Sequence, residues 1–210
     1  MTCPDGGGTA AESSLVARER LIEAGIQELQ EYGVQGFSLR RVAQSCDLSC
    51  AAPYRHFRDK QELLQAVAET LNRRWFARQS EALAQLGGNT GMQLRTICRE
   101  YLRFLCDNPH FCALVTQRDE DTGKWRLNRL FDQSSLTKQL IVRYAKEHHM
   151  TYEDVYCRVY AIRALLYGAA MMNQHDDMRL NEATIDALCR VIDSQICGNA
   201  PVILDSTGAL

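Results

Sequence analysis

Apolar residues recur at helical spacing along most of this chain, and no segment shows the alternation of apolar and polar positions that predicts a β-strand. Gly33 can end the first predicted helix in a left-handed cap. The apolar face of that helix consists of Leu21, Ile22, Gly25, Ile26, Leu29 and Tyr32. Because the later segments show the same periodicity, the pattern predicts an all-α fold.

Two short helices joined by a turn are predicted within residues 38–57. Ser38 is a helix-start residue, and the apolar positions after it have the i, i+3, i+4 spacing of a small amphipathic helix. Residues 45–48 break this pattern. Ser49 is then predicted to start the second helix, because its hydroxyl can accept a backbone N–H of the first turn.

The second short helix has the composition of an element that enters DNA. A helix in the major groove needs small residues where backbone and bases come close, and long donors at its edge to hold phosphates. Small side chains are followed here by longer ones, in the order Cys50, Ala51, Ala52, Tyr54, Arg55 and His56.

A further helix is predicted to start near residue 60. Asp59 and Glu62 have the spacing of a capping box, in which two side chains satisfy backbone N–H groups at a helix start. Lys60 lies in the first turn, where a cation is usually unfavourable. A phosphate opposite Lys60 would make this position favourable.

Residues 18–64 together resemble the DNA-binding domain of the TetR family of bacterial transcription regulators. Two positions depart from the family pattern: Asp47 occupies a turn position that is commonly glycine, and Pro53 lies inside the predicted recognition helix. The segments that match, in family order and spacing, are Arg20-Leu21-Ile22-Glu23-Ala24, Tyr32-Gly33, Gly36-Phe37-Ser38-Leu39-Arg40-Arg41-Val42-Ala43, Leu48-Ser49, Tyr54-Arg55-His56-Phe57, Lys60 and Glu62-Leu63-Leu64.

This resemblance implies a homodimer that binds double-stranded DNA at a palindromic operator and responds to a small-molecule effector, most simply as a repressor. The recognition helix, starting at Ser49, would enter the major groove. Phosphates would be held mainly by Ser38, Arg40, Tyr54, His56 and Lys60. Base edges would be contacted by Arg41, Cys50, Ala51, Ala52 and Arg55.

The charge distribution agrees with a modular DNA-binding protein. The net charge of the 210-residue chain is −2, which alone does not indicate DNA binding. Residues 38–60 hold five basic and two acidic side chains, a net charge of +3, so the rest of the chain carries −5. A small basic patch on an acidic body is typical of such proteins, although a solvated charged face would have the same composition.

No targeting or membrane segment is predicted. No run is long and apolar enough for a membrane span, and residues 1–14 lack the pattern of a signal peptide. We therefore expect a cytoplasmic protein with no membrane partner. Residues 1–14 are predicted to form a disordered arm.

About nine helices are expected in all, in two domains. The predicted domains are a helix-turn-helix DNA-binding domain at residues 15–75 and a ligand-binding and dimerisation domain at 76–198, with a loose tail at 199–210. Gly, Pro and polar turns separate the later helices. Their predicted ranges are 60–86, 90–107, 110–117, 125–147, 151–174 and 182–197.

The last two predicted helices favour dimerisation. Residues 155–172 are apolar nearly all round and include small residues that allow helices to approach closely. The final helix carries an apolar stripe near heptad spacing. The predicted interface is Ala161, Gly168, Ile185, Leu188, Ile192 and Ile196, with internal packing of the stripe as the alternative.

Aromatic and methionine side chains are dense between residues 75 and 172. Core packing explains any single one of them, but as a set they could line an apolar cavity with a few hydroxyl donors. The candidate lining residues are Trp75, Tyr101, Phe104, Trp125, Phe131, Tyr144, Tyr167 and Met171.

Two alternatives to an effector-responsive regulator remain at this stage. Cys106, His110 and Cys112 have ligand-like spacing, so a metal- or thiol-sensing regulator of the same fold is possible, although free cysteines are common in cores. A helical-bundle enzyme is the remote alternative, because no nucleophile elbow, phosphate-binding loop or paired-histidine motif is present. We predict a protein that is not an enzyme and needs no cofactor.

Overall fold

The computed structural model describes residues 10–84, 86–115, 136–174 and 179–198, and these residues form helices joined by turns. The predicted all-α class is therefore confirmed. Eight α-helices and one short 3₁₀ helix lie in the described ranges: α1 (Ala10–Gly36), α2 (Leu39–Ser45), η1 (Pro53–Arg55), α3 (Lys60–Ala84), α4 (Thr90–Asp107), α5 (Phe111–Val115), α6 (Leu136–Glu147), α7 (Tyr152–Gln174) and α8 (Glu182–Cys197).

Side-chain caps precede three helices, α4, α7 and α8. Each of these helices begins at the predicted residue or one residue after it. Asn89 and Asn181 each accept a backbone N–H of the following turn, at 2.8 and 3.0 Å. Thr151 and Asp154 form a reciprocal capping box, in which each side chain accepts the other residue's N–H at 3.2 Å. These caps are local in sequence, which is why their positions were predictable.

The N-terminal domain is held together by one apolar cluster between α1, α2 and α3. Each large side chain buried there stabilises the fold by roughly 2 kcal/mol. Tyr32, predicted on the same face of α1, is instead 45% exposed. The cluster includes Leu21, Ile22, Ile26, Leu29, Phe37, Val42, Phe57, Leu63, Leu64 and Val67, each at most 4% exposed.

Helix α3 continues from the N-terminal domain into the body of the protein. It begins at Lys60 and carries Trp75 into the body, where the Trp75 ring lies 4.8 Å from that of Tyr101 and 5.7 Å from that of Phe104. Both partners belong to α4, which also contacts α6, α7 and α8. The predicted domain boundary at residue 75 thus falls inside one helix that spans both domains.

Gly33 makes the kink near the end of α1. Its φ of 64° lies in the region that favours glycine, and its ψ of −177° is not helical. The His110 ring packs against it, so that a Cβ at this position would lie 3.3 Å from the His110 Cε1 atom. Backbone conformation and close contact therefore both require glycine here.

One expectation about the start of the chain changes. Helix α1 begins at Ala10, so the predicted disordered arm is wrong for residues 10–14; alanine and glutamate at residues 10–12 favour helix. The rest of the arm, the tail at 199–210 and the first part of the helix predicted at 125–147 lie outside the described residues.

The isoleucine stripe of the last helix packs inside the chain. Ile185, Ile192 and Ile196 are 2%, 1% and 6% exposed, because this face of α8 lies against α4. Their assignment to the dimer interface is therefore corrected. Heptad-like spacing identifies an apolar helix face, but it does not say whether the same chain or a second copy covers that face.

Candidate DNA-binding interface and ligand cavity

The turn of the helix-turn-helix is a Schellman motif. The Asp47 N–H donates to the Gln44 carbonyl at 3.0 Å, and the Leu48 N–H donates to the Ala43 carbonyl at 2.9 Å. Asp47 has a φ of 57°, so it adopts the left-handed conformation expected at this position. Aspartate can replace the common glycine because it tolerates this region better than most residues.

Helix α1 holds the turn in place through Cys46. The Arg20 guanidinium donates to the Cys46 carbonyl at 3.1 Å, and the Cys46 thiol donates to the Arg20 carbonyl at 3.5 Å. Cys46 is only 5% exposed. These contacts fix the segment that follows relative to the domain core.

The recognition segment is not the α-helix predicted from Ser49. Residues 50–52 form turns, and Pro53–Arg55 form a single 3₁₀ turn. The Ala52 N–H donates to the Ser49 carbonyl and the Arg55 N–H to the Ala52 carbonyl, an i to i−3 pattern. Pro53 has no N–H and so cannot complete an i to i−4 bond to Ser49.

Most residues predicted to contact DNA lie on the exposed side of this segment. Pro53 and Phe57 face inward and are buried. Ala52 and His56 are half-buried. The exposed residues are Ser49, Cys50, Ala51, Tyr54 and Arg55, with Arg40 exposed on the preceding helix.

Arg41 is engaged inside the domain. Its guanidinium pairs with the carboxylate of Glu28, whose side chain is only 6% exposed, and its charge lies 4.0 Å from the centre of the Tyr32 ring. The same carboxylate accepts the Ser38 N–H at 2.9 Å, at the start of α2. This geometry allows Arg41 and Glu28 to position α2. The Arg41 side chain is still 41% exposed, and its base contact stays a prediction.

The start of α3 is satisfied by its own capping residues. The Asp59 carboxylate accepts the Glu62 N–H at 2.9 Å, and the Glu62 carboxylate accepts the Arg58 N–H at 2.6 Å. The hydrogen bond from the Glu62 N–H and, after it, the Arg58 guanidinium lower the pKa of Asp59. Lys60 is half-buried, and its ammonium lies 5.8 Å from the centre of the Phe37 ring. Because the capping residues already accept N–H groups at this helix start, a phosphate bound at it would contact Lys60 but few unsatisfied N–H groups.

The pairing of charges leaves a smaller basic footprint than the sequence indicated. Arg41 pairs with Glu28, and Arg58 pairs with Asp59 at 3.0 Å. Arg40 and Arg55 are exposed cations that have no ion-pair partner among the described residues.

An apolar cavity of about 520 Å³ lies in the body, between α3, α4, α6, α7 and α8. Four of the predicted lining residues border it: Trp75, Tyr101, Tyr144 and Tyr167. Phe104 packs in the core instead, and Met171 is 56% exposed on the surface. Trp125 and Phe131 lie outside the described residues. Aliphatic side chains of α6 and α7, which were not among the predicted lining residues, form much of the wall.

The alternative metal site is not supported by the geometry. No cluster of three or more histidine, cysteine or acidic side chains suited to a metal ion occurs among the described residues. The Cys106 thiol instead donates to the Leu180 carbonyl at 3.7 Å. Cys112 is 3% exposed, and burial raises the pKa of its thiol to about 12. We therefore drop Cys106, His110 and Cys112 as a ligand set.

Comparison with known proteins agrees with this arrangement. The sequence model for bacterial regulatory proteins of the tetR family matches residues 21–67. A Rhodococcus sp. RHA1 protein of unknown function is 22% identical, with a TM-score of 0.69 over 93% of this chain and 97% of that one. A TetR variant from Acinetobacter baumannii AYE, solved with minocycline, is 18% identical, with a TM-score of 0.58 over 91% and 96%. The fatty acid degradation regulator FadR from Bacillus halodurans is 14% identical, with a TM-score of 0.69 over 88% and 97%.

An exposed helix-turn-helix on a helical body defines a DNA-binding transcription regulator. The sequence match lies in the helix-turn-helix domain, and the structural likeness extends over most of the chain. The N-terminal domain is therefore a DNA-binding domain of the kind found in the tetR family of bacterial regulatory proteins, because the sequence model of that family matches it. Within the part of the chain that is described, no helix has the length and apolar composition to cross a membrane.

Proposed function

We propose that this protein is a homodimeric repressor that binds a palindromic operator and is released from it by a small, mainly apolar molecule. The observation that carries the proposal is the path of α3. It begins beside the recognition segment at Lys60 and borders the apolar cavity with Trp75. A molecule in the cavity can therefore act on the orientation of the DNA-binding domain through one helix.

The energetic requirement for release is modest. A ligand that binds one of two conformations more tightly shifts the equilibrium by its difference in affinity, and a few kcal/mol is sufficient. If the distance between the two DNA-binding domains no longer matches the half-site spacing, the dimer dissociates from the operator.

The dimer surface is proposed on the exposed face of α7 and the adjacent α8. Tyr152, Tyr156 and Tyr160 are 86%, 60% and 68% exposed, and successive rings stack along α7 at 6.4 and 6.5 Å. Val191 of α8 is 47% exposed. Exposed apolar side chains gathered on one face are typical of an interaction site. Ala161, Gly168 and Leu188 remain candidates at the edge of this face.

The DNA contacts are proposed from exposure and charge. Arg40, Tyr54, His56 and Lys60 hold phosphates, with Ser38 at the start of α2. Ser49, Cys50, Ala51, Ala52 and Arg55 approach the bases. Because few of these carry strong hydrogen-bonding groups, specificity rests largely on Arg55, on thymine methyl contacts and on DNA shape.

Selection of genomic DNA fragments by the purified protein tests the proposal. Retained fragments are expected to share a palindromic sequence, and the protein should bind it with a stoichiometry of two chains per site. Recovery of fragments with no common sequence would contradict operator recognition. Adding small apolar molecules to the protein–DNA complex then tests whether the protein is released from the operator.

Lys60→Ala is expected to weaken binding to all sequences alike. Removal of one phosphate contact should reduce the slope of log affinity against log salt by about 1. Gel-shift titrations at several salt concentrations measure this slope. Lys138→Ala, on α6 in the body, is the control, and an unchanged slope for Lys60→Ala would remove its phosphate role.

Alkylation of Cys50 is expected to abolish operator binding. Cys50 is exposed in the recognition segment, whereas Cys46 and Cys98 are buried, and burial raises the pKa of Cys98 to about 12. Thiolates react and buried thiols are protected, so Cys50 and the exposed Cys197 should be labelled first. This expectation rests on the exposure of Cys50 alone, because the recognition segment does not begin with the α-helical turn that the sequence predicted.

Peptide mapping with and without operator DNA measures the labelling of Cys50. A Cys50→Ala variant should retain operator binding after alkylation, and a Cys197→Ala variant should lose it like the wild type. Equal labelling of Cys50 in free and DNA-bound protein would show that its side chain does not face the DNA.

A further inference from the structure

The polar side chains that line the cavity are mostly engaged with the protein itself. The Tyr144 hydroxyl donates to the Ile196 carbonyl at 2.6 Å. The Thr137 hydroxyl accepts from the Gln79 amide, also at 2.6 Å. Arg158 donates to two backbone carbonyls at the end of α8. These groups shape the cavity but have much of their hydrogen-bonding capacity already used.

The Tyr101 hydroxyl differs from them. Tyr101 is 6% exposed and borders the cavity, and within the described ranges its buried hydroxyl has no well-placed hydrogen-bond partner, the nearby Tyr167 hydroxyl offering at most a weak contact. The rings of Trp75 and Phe104 hold the Tyr101 ring between α3 and α4. A buried polar group without a well-placed partner is unfavourable and rare in native proteins, so this hydroxyl is suited to bind a ligand that supplies an acceptor.

The chemistry of this position favours a hydrogen-bond acceptor with negative charge. Burial, and after it the neighbouring Tyr167 phenol, raises the pKa of Tyr101 well above its usual value, so the hydroxyl stays protonated and donates. Burial also raises the pKa of Tyr167, and the nearby Arg163 cation opposes that increase. Arg163 borders the same cavity.

We propose that the cavity binds an amphipathic monocarboxylate, whose carboxylate accepts a hydrogen bond from Tyr101 close to Arg163. The hydrocarbon part lies along the aliphatic wall, which includes Leu94, Ile97, Ile141, Val155, Val159 and Ile162. The volume of about 520 Å³ accommodates a chain or ring system of moderate size. This inference rests on the proposed function in one respect, namely that the cavity is the effector site.

Binding of three ten-carbon probes to the full-length protein tests the headgroup. Decanoate, methyl decanoate and decylammonium have similar apolar parts, and they carry a charged acceptor, a neutral acceptor and a cation. Calorimetric titration is expected to rank decanoate first and decylammonium last. Tyr101→Phe should weaken decanoate binding about tenfold or more, since hydrogen bonds to charged groups are the stronger kind. It should leave decylammonium binding unchanged.

Two further variants keep the test independent of folding defects. Tyr144→Phe removes a hydroxyl from the same cavity that already donates to the protein, so any effect should be equal for decanoate and decylammonium. Arg163→Gln changes an exposed side chain and should abolish the preference for decanoate over methyl decanoate. Thermal melting of each variant confirms that the chain is folded.

The outcomes separate this inference from the proposed function. Absence of binding by all three probes, equal binding of decanoate and decylammonium, or full decanoate affinity in Tyr101→Phe would each overturn the inference. Operator release is measured separately by gel shift. Selective decanoate binding without operator release would support the inference and count against the effector role of the cavity.

Discussion

Tyr160→Glu is expected to convert the dimer into monomers and to reduce operator affinity by about a hundredfold or more. Tyr160 is 68% exposed at the C-terminal end of the row of three stacked tyrosines on α7, so the isolated chain tolerates the substitution. In the proposed dimer the new carboxylate would be buried without a partner, which is costly. A single DNA-binding domain then makes half of the operator contacts. Sedimentation at micromolar concentration measures the association state.

Two matched variants distinguish loss of the dimer from loss of the fold. Val142→Glu changes a residue of α6 that is 46% exposed and lies outside the proposed face, so it should remain dimeric. Ile192→Glu buries a charge in the core of the single chain, where Ile192 is 1% exposed, and should lower the melting temperature. A Tyr160→Glu protein that remains dimeric and binds DNA would place the interface on another surface.

Arg41→Ala is expected to lower the melting temperature of the protein, because it leaves the Glu28 carboxylate, whose side chain is only 6% exposed, without its cation. Operator affinity should fall for all sequences by a similar factor, since α2 and the turn after it lose their fixed position. Thermal melting and gel shifts against a set of single-base operator variants measure both effects.

Arg40→Ala is the matched control for this prediction. Arg40 is the adjacent residue, is exposed and has no ion pair within the described ranges. Its removal should leave the melting temperature unchanged and should lower the salt dependence of DNA binding. Wild-type stability together with relaxed base preference in Arg41→Ala would restore the direct base contact expected from the sequence.

Features that depend on neighbours in sequence were predictable. The helices predicted at 151–174 and 182–197 begin at Tyr152 and Glu182, after the capping box of Thr151 and Asp154 and the cap at Asn181. Asp47 adopts the left-handed turn conformation that its position in the motif requires. Each of these involves contacts within five residues, so the local sequence specifies the partner as well as the group.

Features that depend on distant contacts were predicted incompletely. Arg41 was expected at base edges, because nothing in the local pattern identifies Glu28, thirteen positions earlier, as its buried partner. Pro53 was expected to cost at most one helical bond, but the segment becomes a 3₁₀ turn with Pro53 and Phe57 buried against the domain. Side-chain type limits the partners that a residue can have, and packing selects among them.

The sequence by itself determined the all-α class, most helix ends and the helix-turn-helix, because helical periodicity and capping are encoded over a few residues. Only the tertiary structure decided which faces cover one another. It buried the isoleucines of α8 against α4, left the α7 tyrosines exposed and, among the described residues, left the Tyr101 hydroxyl without a well-placed hydrogen-bond partner. An apolar face or a polar group has the same sequence pattern whatever covers it, and the partner is chosen only when the whole chain packs.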